Sequence, residues 1–256
     1  MKQSNLVSEQ FSGSAQAYLT STVHANGADL QRLTQLTRDC ACRQALDLGC
    51  GAGHAAFAIA KAGSAVIAYD LSPKMLALVE QEAVQRGLMN IATQLGAAEH
   101  LPFANASYDL VVTRFSAHHW SHVTAALAEV RRVLKPTGIV LVIDTVAAEN
   151  PLFDTVLQTV EILGDASHIR DYRVSEWQAM LQAAGFDVTE TDSWSLPVEF
   201  ASWAGIKRTS GQRIEAIQGV FDQVSDEVRQ HFKLQADCSF DLEVAWLQAK
   251  PAVEWD

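Results

Sequence analysis

The chain has 256 residues, of which 48% are hydrophobic and 19% charged. This length and hydrophobic content suffice for one α/β domain with a full core, and they exclude a globally disordered chain. The formal net charge is −11. A nucleic-acid partner is therefore not expected, because binding to phosphates requires clustered Lys and Arg, and the densest basic spots are only Arg131-Arg132 and Lys207-Arg208.

The sequence lacks the usual signals for a membrane, a secretory leader or a metal. No run approaches the roughly 18 apolar residues of a membrane span, and residues 1–5 lead into polar sequence rather than an apolar signal core. The four cysteines have neither zinc-site nor Cys-x-x-Cys spacing; they are Cys40, Cys42, Cys50 and Cys238. We expect free thiols, no metal ion and a cytoplasmic protein.

The first 145 residues predict helices followed by a regular alternation of strands and helices. Residues 1–43 are expected to be helical, with a break at Ser12-Gly13-Ser14. The alternation that follows is typical of a parallel doubly wound sheet. Its predicted strands are 44–48, 65–69, 90–95, 108–113 and 139–143, and its predicted helices are 53–62, one beginning at Ser72-Pro73, and 122–134.

The alternation changes after residue 144. We predict helices near 150–163 and 175–184, a strand at 186–191, a helical polar stretch at 195–236 and a last strand at 240–250. The economical division is one domain in three parts. These are an N-terminal helical lid (1–43), a cofactor-binding core (44–145), and a remainder (146–256) with substrate-side helices, a helical insertion and closing strands.

The most informative segment lies at the end of the first predicted strand. Asp47 comes at the end of that strand and is followed by Gly49, Gly51 and Gly53 at every second position. Glycine has no β-carbon, so such a turn can adopt positive φ and let a ligand contact bare backbone. Asp70 ends the second predicted strand, where an acid can accept hydrogen bonds from both ribose hydroxyls.

Two cofactors compete for this layout. The dinucleotide fingerprint requires glycine at its first, third and sixth positions and places a pyrophosphate at the helix N-terminus. Counted from Gly49, the sixth position is His54, and the carboxylate of Asp47 would repel a pyrophosphate. S-adenosylmethionine has no phosphate and carries two positive groups, an ammonium and a sulfonium. The spacing therefore favours S-adenosylmethionine over a nicotinamide dinucleotide.

Five segments between residues 46 and 138 together resemble class I S-adenosylmethionine-dependent methyltransferases. The resemblance is strongest to the small-molecule branch typified by ubiquinone/menaquinone C-methyltransferases. The segments are Leu46-Asp47-Leu48-Gly49-Cys50-Gly51-Ala52-Gly53, Tyr69-Asp70-Leu71-Ser72-Pro73-Lys74-Met75-Leu76, Gly96-Ala97-Ala98-Glu99-His100-Leu101-Pro102-Phe103, Tyr108-Asp109-Leu110-Val111 and Glu129-Val130-Arg131-Arg132-Val133-Leu134-Lys135-Pro136-Thr137-Gly138. Residues 11–18 and 167–170 also look like an uncharacterised bacterial subgroup of that branch.

The resemblance implies a Rossmann-like α/β fold with seven strands in the order 3-2-1-4-5-7-6, the last strand antiparallel and helices on both faces. It implies that Asp47 and Gly49, with Cys50, Gly51 and Gly53 in the same turn, hold the methionine end of the cofactor. Asp70 would bind the ribose, and Leu71 or Met75 would contact the adenine. The family often carries Asp where this chain has Ala97, so the backbone of Ala97 and Ala98 or the side chain of Glu99 is expected to replace that contact.

Candidate catalytic residues follow the fourth predicted strand, at the sheet edge where ligands bind in open α/β folds. His118 and His119 titrate near neutrality and suit a general base. Arg114 is a candidate contact for the cofactor or for an acidic substrate, with a plain ion pair as the alternative. Tyr18 is placed to cover the sulfonium by a cation–π contact. The tentative substrate residues are Asp144, His168 and Arg170.

We therefore predict an S-adenosylmethionine-dependent methyltransferase that acts on a small, partly apolar metabolite by direct displacement. Two alternatives stay open at this point: a NAD(P)-dependent oxidoreductase, and a protein that binds S-adenosylmethionine without turnover. The expected partner is a small molecule rather than nucleic acid or membrane, and the chain is expected to be a monomer or a homodimer.

Overall fold

The computed structural model describes residues 2–21 and 25–252. Residue 1, residues 22–24 of the predicted lid and residues 253–256 of the predicted closing segment lie outside the described residues. Within the described ranges, no helix is both long and apolar enough to cross a membrane.

Strands and helices alternate through the first half of the chain, as predicted. The helices are α1 (Gln3–Thr20), α2 (Ala28–Asp39), α3 (His54–Lys61), α4 (Pro73–Gln85) and α5 (Val123–Val133). The strands are β1 (Gln44–Leu48), β2 (Ala65–Asp70), β3 (Ile91–Leu95), β4 (Tyr108–Arg114) and β5 (Leu134–Val146). A short 3-10 turn at Ala117–His119 follows β4.

The second half begins with two helices, α6 (Pro151–Gly164) and α7 (Val174–Ala183), before strand β6 (Phe186–Val198). Three further helices separate β6 from the last strand: α8 (Phe200–Lys207), α9 (Gly211–Gln223) and α10 (Asp226–His231). Strand β7 (Phe240–Pro251) then closes the sheet between β5 and β6. The helical insertion therefore lies where the sequence predicted it.

The seven strands form one sheet in the order β3-β2-β1-β4-β5-β7-β6. Strands β1 to β5 pair in parallel, and β7 is antiparallel to both of its neighbours. The predicted strand order and the antiparallel last strand are confirmed. Because the carboxyl ends of β1, β2, β4 and β5 meet at one edge, the segments that follow these strands are brought together there.

Helices cover both faces of the sheet, which gives two hydrophobic clusters, and the helical insertion packs around a third. One face is packed by α2, α3 and α4 through Leu33, Phe57, Ile59 and Val79. The opposite face is packed by α5 and α7, where Leu127 and Trp177 are fully buried. The insertion forms its own cluster against α6 and the β6–β7 end of the sheet, around Trp203, Ile217, Phe221 and Phe240.

The predicted helix break at Ser12-Gly13-Ser14 is wrong, because α1 runs unbroken through it. Tertiary contacts explain the difference. Ser12 Oγ lies 2.8 Å from Ser72 Oγ at the start of α4, and a β-carbon added to Gly13 would lie 1.8 Å from the guanidinium of Arg208. Close packing on two neighbouring elements thus overrides the weak intrinsic helix propensity of Gly and Ser.

The predicted ends of β5 and β6 are also corrected. Strand β6 continues to Val198 rather than ending at residue 191, so the helical stretch begins at Phe200 and not at residue 195. The extension is held by antiparallel pairing, in which Trp194, Leu196 and Val198 face Val244, Leu242 and Phe240. Strand β5 likewise extends from the predicted 139–143 to Leu134–Val146.

Candidate active site

The glycine turn after β1 is held close to β2 by its own backbone. The N–H groups of Gly49 and Cys50 donate to the carbonyl oxygen of Tyr69 at 2.8 and 3.0 Å. Gly49 has φ +71°, and a β-carbon there would lie 1.9 Å from Ser116 Oγ. Gly51 has φ +49°, and a β-carbon there would meet nothing within 4 Å. The turn therefore presents bare backbone to open space at Gly51.

Two carboxylates flank this turn, Asp47 buried and Asp70 half-buried. Asp47 Oδ2 accepts a hydrogen bond from the N–H of Ala56 at 2.8 Å, and Asp70 accepts from the N–H groups of Gly51 (2.9 Å) and Ser72 (2.8 Å). Burial raises the pKa of Asp47 to about 7, against the opposing effect of the Ala56 hydrogen bond. Burial also raises the pKa of Asp70. A ligand that brings a positive charge or hydrogen-bond donors would therefore stabilise the ionised form of either carboxyl group.

A crevice runs along both sides of the glycine turn, and it contains nearly all of the predicted cofactor residues. The side toward β2 and β3 is a cavity of about 90 Å³. The side toward α3 is a cavity of about 60 Å³. The first is lined by Gly49, Gly51, Asp70, Leu71, Ala97, Ala98 and Glu99, and the second by Tyr18, Asp47, Gly49, Cys50, Gly51, Met75 and Arg114.

Gly53 is the predicted residue that does not line the described part of this crevice. It precedes α3 with φ +86°, and a β-carbon there would lie 2.8 Å from Val79 Cγ2. Glycine is therefore needed at this position because α3 packs closely against α4. Arg114 lines the crevice, but its guanidinium also pairs with Asp29, with Nε 2.5 Å from Oδ2 and both side chains 5% exposed.

A much larger cavity of about 560 Å³, which we call the acceptor cavity, lies on the other side of α1 and β4. Its volume falls within the range typical of small-molecule sites. Its walls are largely apolar, with Tyr18, Leu196, Trp203, Ile206 and Leu242 among them. Glu161, Asp165 and Glu199 add three carboxylates to its lining, and Lys207 lies in ion-pair contact with Glu161.

The two predicted catalytic histidines lie in different electrostatic surroundings. Burial opposes protonation of His118, but the charge of Asp144 and its hydrogen bond (Oδ1 to Nδ1, 2.6 Å) raise the His118 pKa to about 9. Burial and the positive charge of His118 hold the pKa of His119 well below its usual value. His118 is therefore an imidazolium near neutral pH, and His119 is neutral.

His119 lines both the crevice and the acceptor cavity. Its Nδ1 lies 3.1 Å from the carbonyl oxygen of Ser167. Because a carbonyl only accepts hydrogen bonds, Nδ1 carries the proton, and Nε2 is the basic nitrogen of the neutral ring.

The structure does not bring the three predicted substrate residues to the wall of either cavity in the described chain. Asp144 is 1% exposed, and both of its oxygens are hydrogen-bonded, to His118 and to the N–H of Ala117. Arg170 pairs with Asp154 and Glu176. His168 is buried behind the acceptor cavity, with its ring centroid 5.7 Å from that of His118.

The sequence analysis did not predict the two residues that line both the crevice and the acceptor cavity. Phe11 of α1 and Phe115 after β4 each line both sides of the crevice and also the acceptor cavity. Phe115 has φ +50°, an uncommon conformation for a bulky residue. No local pattern predicts either role, because a single phenylalanine in a helix or after a strand is ordinarily interpreted as core. Glu161, Asp165 and Lys207 were missed because they come together only where α6, the loop after it and α8 pack against one another.

Comparison with known proteins identifies the family. Residues 46–142 match the family model described as "Methyltransferase domain". The chain is 44% identical to the uncharacterised protein YafE of Escherichia coli over 200 residues, covering 78% of this chain and 97% of YafE. It is 36% identical to the uncharacterised methyltransferase YcgJ of Bacillus subtilis, covering 87% and 88% of the two chains.

The crystal structure of YcgJ superposes with a TM-score of 0.80 at 33% identity, covering 88% of this chain and 99% of that chain. A third relative is the ubiquinone/menaquinone biosynthesis C-methyltransferase UbiE of Brucella anthropi. It is 31% identical over 164 residues, which cover 56% of this chain and 62% of UbiE. The chain belongs to the class I S-adenosylmethionine-dependent methyltransferases and is related to the quinone methyltransferases.

The protein is thus a methyltransferase, and its cofactor is S-adenosylmethionine. The predictions of class, fold and cofactor are confirmed. The alternatives of a nicotinamide-dependent oxidoreductase and of a binding protein without turnover find no support in these comparisons.

Proposed function

We propose that this enzyme methylates a small, partly apolar metabolite that binds in the acceptor cavity. The observation that carries the proposal is the shared wall of Phe11, Phe115 and His119, which separates that cavity from the crevice along the glycine turn. A displacement reaction requires donor and acceptor to meet in line, and such alignment lowers the barrier strongly. The shared wall is the place where the two can meet.

The residues of the crevice fit S-adenosylmethionine, which supplies an electrophilic methyl group on a sulfonium when it is bound. Asp47 would offer its carboxylate to the ammonium, and Asp70 would accept hydrogen bonds from the ribose hydroxyls. Of the two residues expected at the adenine, Leu71 lines the same side of the crevice as Asp70 and would contact the ring, whereas Met75 lines the other side with Asp47. Open space beside Gly51 supports the fit, since the backbone there is free of any side-chain obstruction.

The aromatic rings around the junction stabilise positive charge without a counter-ion. Phe11 and Tyr18 lie with their ring centroids 5.4 Å apart, and Phe115 lines the same spaces. A sulfonium is attracted by aromatic faces, and apolar walls keep water away from it. Because positive charge at sulfur is lost during transfer, a junction of rings suits the reaction better than a carboxylate would.

His119 is the proposed general base. It lies at the shared wall and is neutral, with Nε2 as its basic nitrogen. Nδ1 is held by the carbonyl of Ser167, which fixes the ring. His118, protonated beside Asp144, acts as a positioning residue for the turn that carries both histidines.

Helix α1 is proposed to act as a lid. Gln3, Ser4, Val7 and Phe11 cover the crevice from above. The two parts of the crevice, about 90 and 60 Å³, are smaller than the several hundred Å³ typical of a site for a nucleoside-sized ligand. Entry of the cofactor therefore requires α1 to move.

The test is incubation of the purified enzyme with S-adenosylmethionine carrying a labelled methyl group and a small-metabolite extract, followed by mass spectrometry. Labelled small molecules are expected. Because the chain is related to UbiE, quinol precursors form a separate arm, and transfer RNA forms another in which no label is expected. The control is Gly51→Val, whose side chain fills the crevice. Binding of S-adenosylmethionine without any labelled product would contradict the proposal.

A further inference from the structure

A second group of chemically competent side chains lies behind the acceptor cavity, and methyl transfer does not require it. Glu161 is on α6, and His168 and Asp171 lie in the loop between α6 and α7. Each offers one ligand atom, and these atoms lie within 4.8 Å of one another. All three residues are buried, with 3%, 4% and 1% of their surfaces exposed.

Several polar atoms of this group have no hydrogen-bond partner within the described part of the chain. They are both carboxylate oxygens of Asp171, Nδ1 of His168 and Oδ2 of the neighbouring Asp165. Buried polar atoms are almost always hydrogen-bonded, and a buried carboxylate with no donor is strongly unfavourable. So many unsatisfied atoms in one place indicate a group that the chain itself does not provide.

The hydrogen bonds around His168 fix which of its nitrogens is basic. The amide nitrogen of Gln158 donates to Asp154 Oδ1 (3.0 Å) and to the carbonyl of Asp171 (2.8 Å), so Oε1 is the oxygen that faces His168. His168 Nε2 lies 3.2 Å from that oxygen and must carry the proton. Neutral His168 therefore has an unpartnered lone pair at Nδ1. Its Nε2 contacts Gln158 and also lies 3.8 Å from Asp171 Oδ2.

The charges of the group leave an excess of negative charge. Asp144 is balanced by His118. Arg170 forms ion pairs with Asp154 and Glu176. Lys207 forms an ion pair with Glu161, and among the described residues no Lys or Arg forms an ion pair with Asp165 or Asp171.

We propose that Glu161, His168 and Asp171 bind a divalent transition-metal cation. One imidazole nitrogen with two carboxylate oxygens suits Zn²⁺ or Mn²⁺, whereas Mg²⁺ and Ca²⁺ prefer oxygen ligands alone. Bonds of about 2 Å place the donors of such a site roughly 3–3.5 Å apart. The three donors, which now lie within 4.8 Å of one another, would have to move closer when a cation binds.

The sequence analysis predicted no metal. The three residues form no recognisable ligand motif in the sequence, because Glu161 lies near the end of α6 and the other two lie in the irregular loop that follows it. Glu161 also lines the acceptor cavity. A cation bound there would face a polar atom of the acceptor, a role that rests on the proposed function, whereas binding of the cation does not.

The experiment uses the full chain, stripped with a chelator and titrated in the absence of S-adenosylmethionine. Mn²⁺ is the primary probe, because thiolates such as the Cys40–Cys42 pair bind it poorly and would confuse a Zn²⁺ titration. Binding is followed by calorimetry and by the electron paramagnetic resonance signal of free Mn²⁺. One Mn²⁺ per chain is expected, with Mg²⁺ at least 100-fold weaker.

The variants His168→Gln and Asp171→Asn are expected to weaken Mn²⁺ binding at least tenfold each. The control Asp187→Asn removes an exposed carboxylate on β6 and should bind as the unchanged chain does. If a variant does not fold, the unchanged chain still provides a test. A histidine ligand would produce nitrogen coupling in the pulsed electron paramagnetic resonance spectrum of bound Mn²⁺, whereas carboxylate and water ligands would not.

The proposal is overturned if the unchanged chain binds neither Mn²⁺ nor Zn²⁺ at millimolar concentration, or if bound Mn²⁺ shows no nitrogen coupling. It is also overturned if folded variants bind as tightly as the unchanged chain. Buried water then satisfies the orphaned atoms. These readouts do not depend on methyl transfer, so a failed transfer assay leaves them unaffected, and failure here leaves the methyltransferase proposal standing.

Discussion

Asp144 lies with Oδ1 2.6 Å from His118 Nδ1 and with Oδ2 2.9 Å from the backbone nitrogen of Ala117. One carboxylate at the edge of β5 therefore fixes both the imidazolium and the start of the 3-10 turn after β4. His119 follows directly in that turn. The position of the proposed base thus depends on a residue that touches neither cavity.

Replacing Asp144 by Asn should make unfolding less dependent on pH. The His118 pKa rises from 6.5 to about 9 on folding. The stability from this pair is therefore fully present below about pH 6.5 and is lost as the pH rises through 9. At pH 6 we expect Asp144→Asn to lose roughly 3–5 kcal/mol, as when a buried pair is broken. The loss should shrink toward pH 10, as measured by urea unfolding across the range.

The matched control for that measurement is Asp241→Asn. Asp241 pairs with Lys233, whose side chain is 63% exposed. Burial opposes ionisation of Asp241, but hydrogen bonds from Lys233 and Ser195 lower its pKa, so the stability from this carboxylate is lost only in acid. A stability loss that is the same at pH 6 and pH 10 in Asp144→Asn would contradict the account of His118.

Replacing His119 by Gln should slow methyl transfer while S-adenosylmethionine still binds. A positioned general base contributes roughly 100-fold or more to the rate, so kcat should fall by about that factor with the acceptor that the labelling experiment identifies. His122→Gln is the control, because His122 is exposed. If kcat is unchanged in His119→Gln, the acceptor loses its proton by another route.

Cofactor binding should become tighter as the pH rises from 6 to 8. Asp47 has a pKa of about 7 in the folded chain because it is buried, and its ionised form attracts the ammonium of the cofactor. Near pH 7, binding should therefore release protons, seen by calorimetry in buffers of different ionisation enthalpy. Asp47→Asn should bind more weakly and lose this contribution. Equal proton release by the two proteins would show that Asp47 does not meet the ammonium.

Raising the pH has the opposite effect on the stability contributed by Asp47. Because the pKa of Asp47 is raised above its usual 3.8, ionisation of this buried group costs stability that accumulates between about pH 4 and pH 7. Asp47→Asn removes that cost and keeps the acceptor for the Ala56 N–H. The variant should therefore lose less stability at pH 8 than at pH 5, relative to the unchanged chain.

Gly51→Ala should separate backbone strain from ligand obstruction. An alanine at φ +49° costs about 1–2 kcal/mol, and its methyl group points into the open crevice. Gly87→Ala is the control, since Gly87 has φ +67° with nothing within 4 Å of its β-carbon position and is absent from the crevice lining. Both variants should melt a few degrees lower, but only Gly51→Ala should lose affinity for S-adenosylmethionine, by tenfold or more.

Hydrogen exchange should report movement of α1. If α1 opens to admit the cofactor, its amides exchange by that opening and should be protected when S-adenosylmethionine is bound. Helix α9 is the internal control, because its residues line neither the crevice nor the acceptor cavity. Protection of α1 and α9 to the same extent would indicate global stabilisation, and no lid movement.

The elements that could be predicted are those with local signals. Alternating strands and helices, the Ser72-Pro73 start of α4 and the glycine spacing after β1 each depend on residues close in sequence. Ser72 Oγ accepts from the N–H of Met75 at 3.3 Å, as a helix-capping serine should. Strand order could not be worked out from these signals alone and came from the family resemblance.

The elements that escaped prediction depend on contacts between distant segments. Gly13 packs inside α1 against Arg208, almost two hundred residues later in the chain. The extension of β6 to Val198 requires its partner β7. The cluster of Glu161, His168 and Asp171 appears only once a loop folds back behind α6. Sequence patterns report neighbours along the chain, and these features are set by neighbours in space.

Phe11 and Phe115 border both the crevice proposed for the cofactor and the cavity proposed for the acceptor. A ring that forms a wall for two ligands cannot change its rotamer for one without changing the space left for the other. Binding of the cofactor and binding of the acceptor should therefore be energetically coupled through these two side chains.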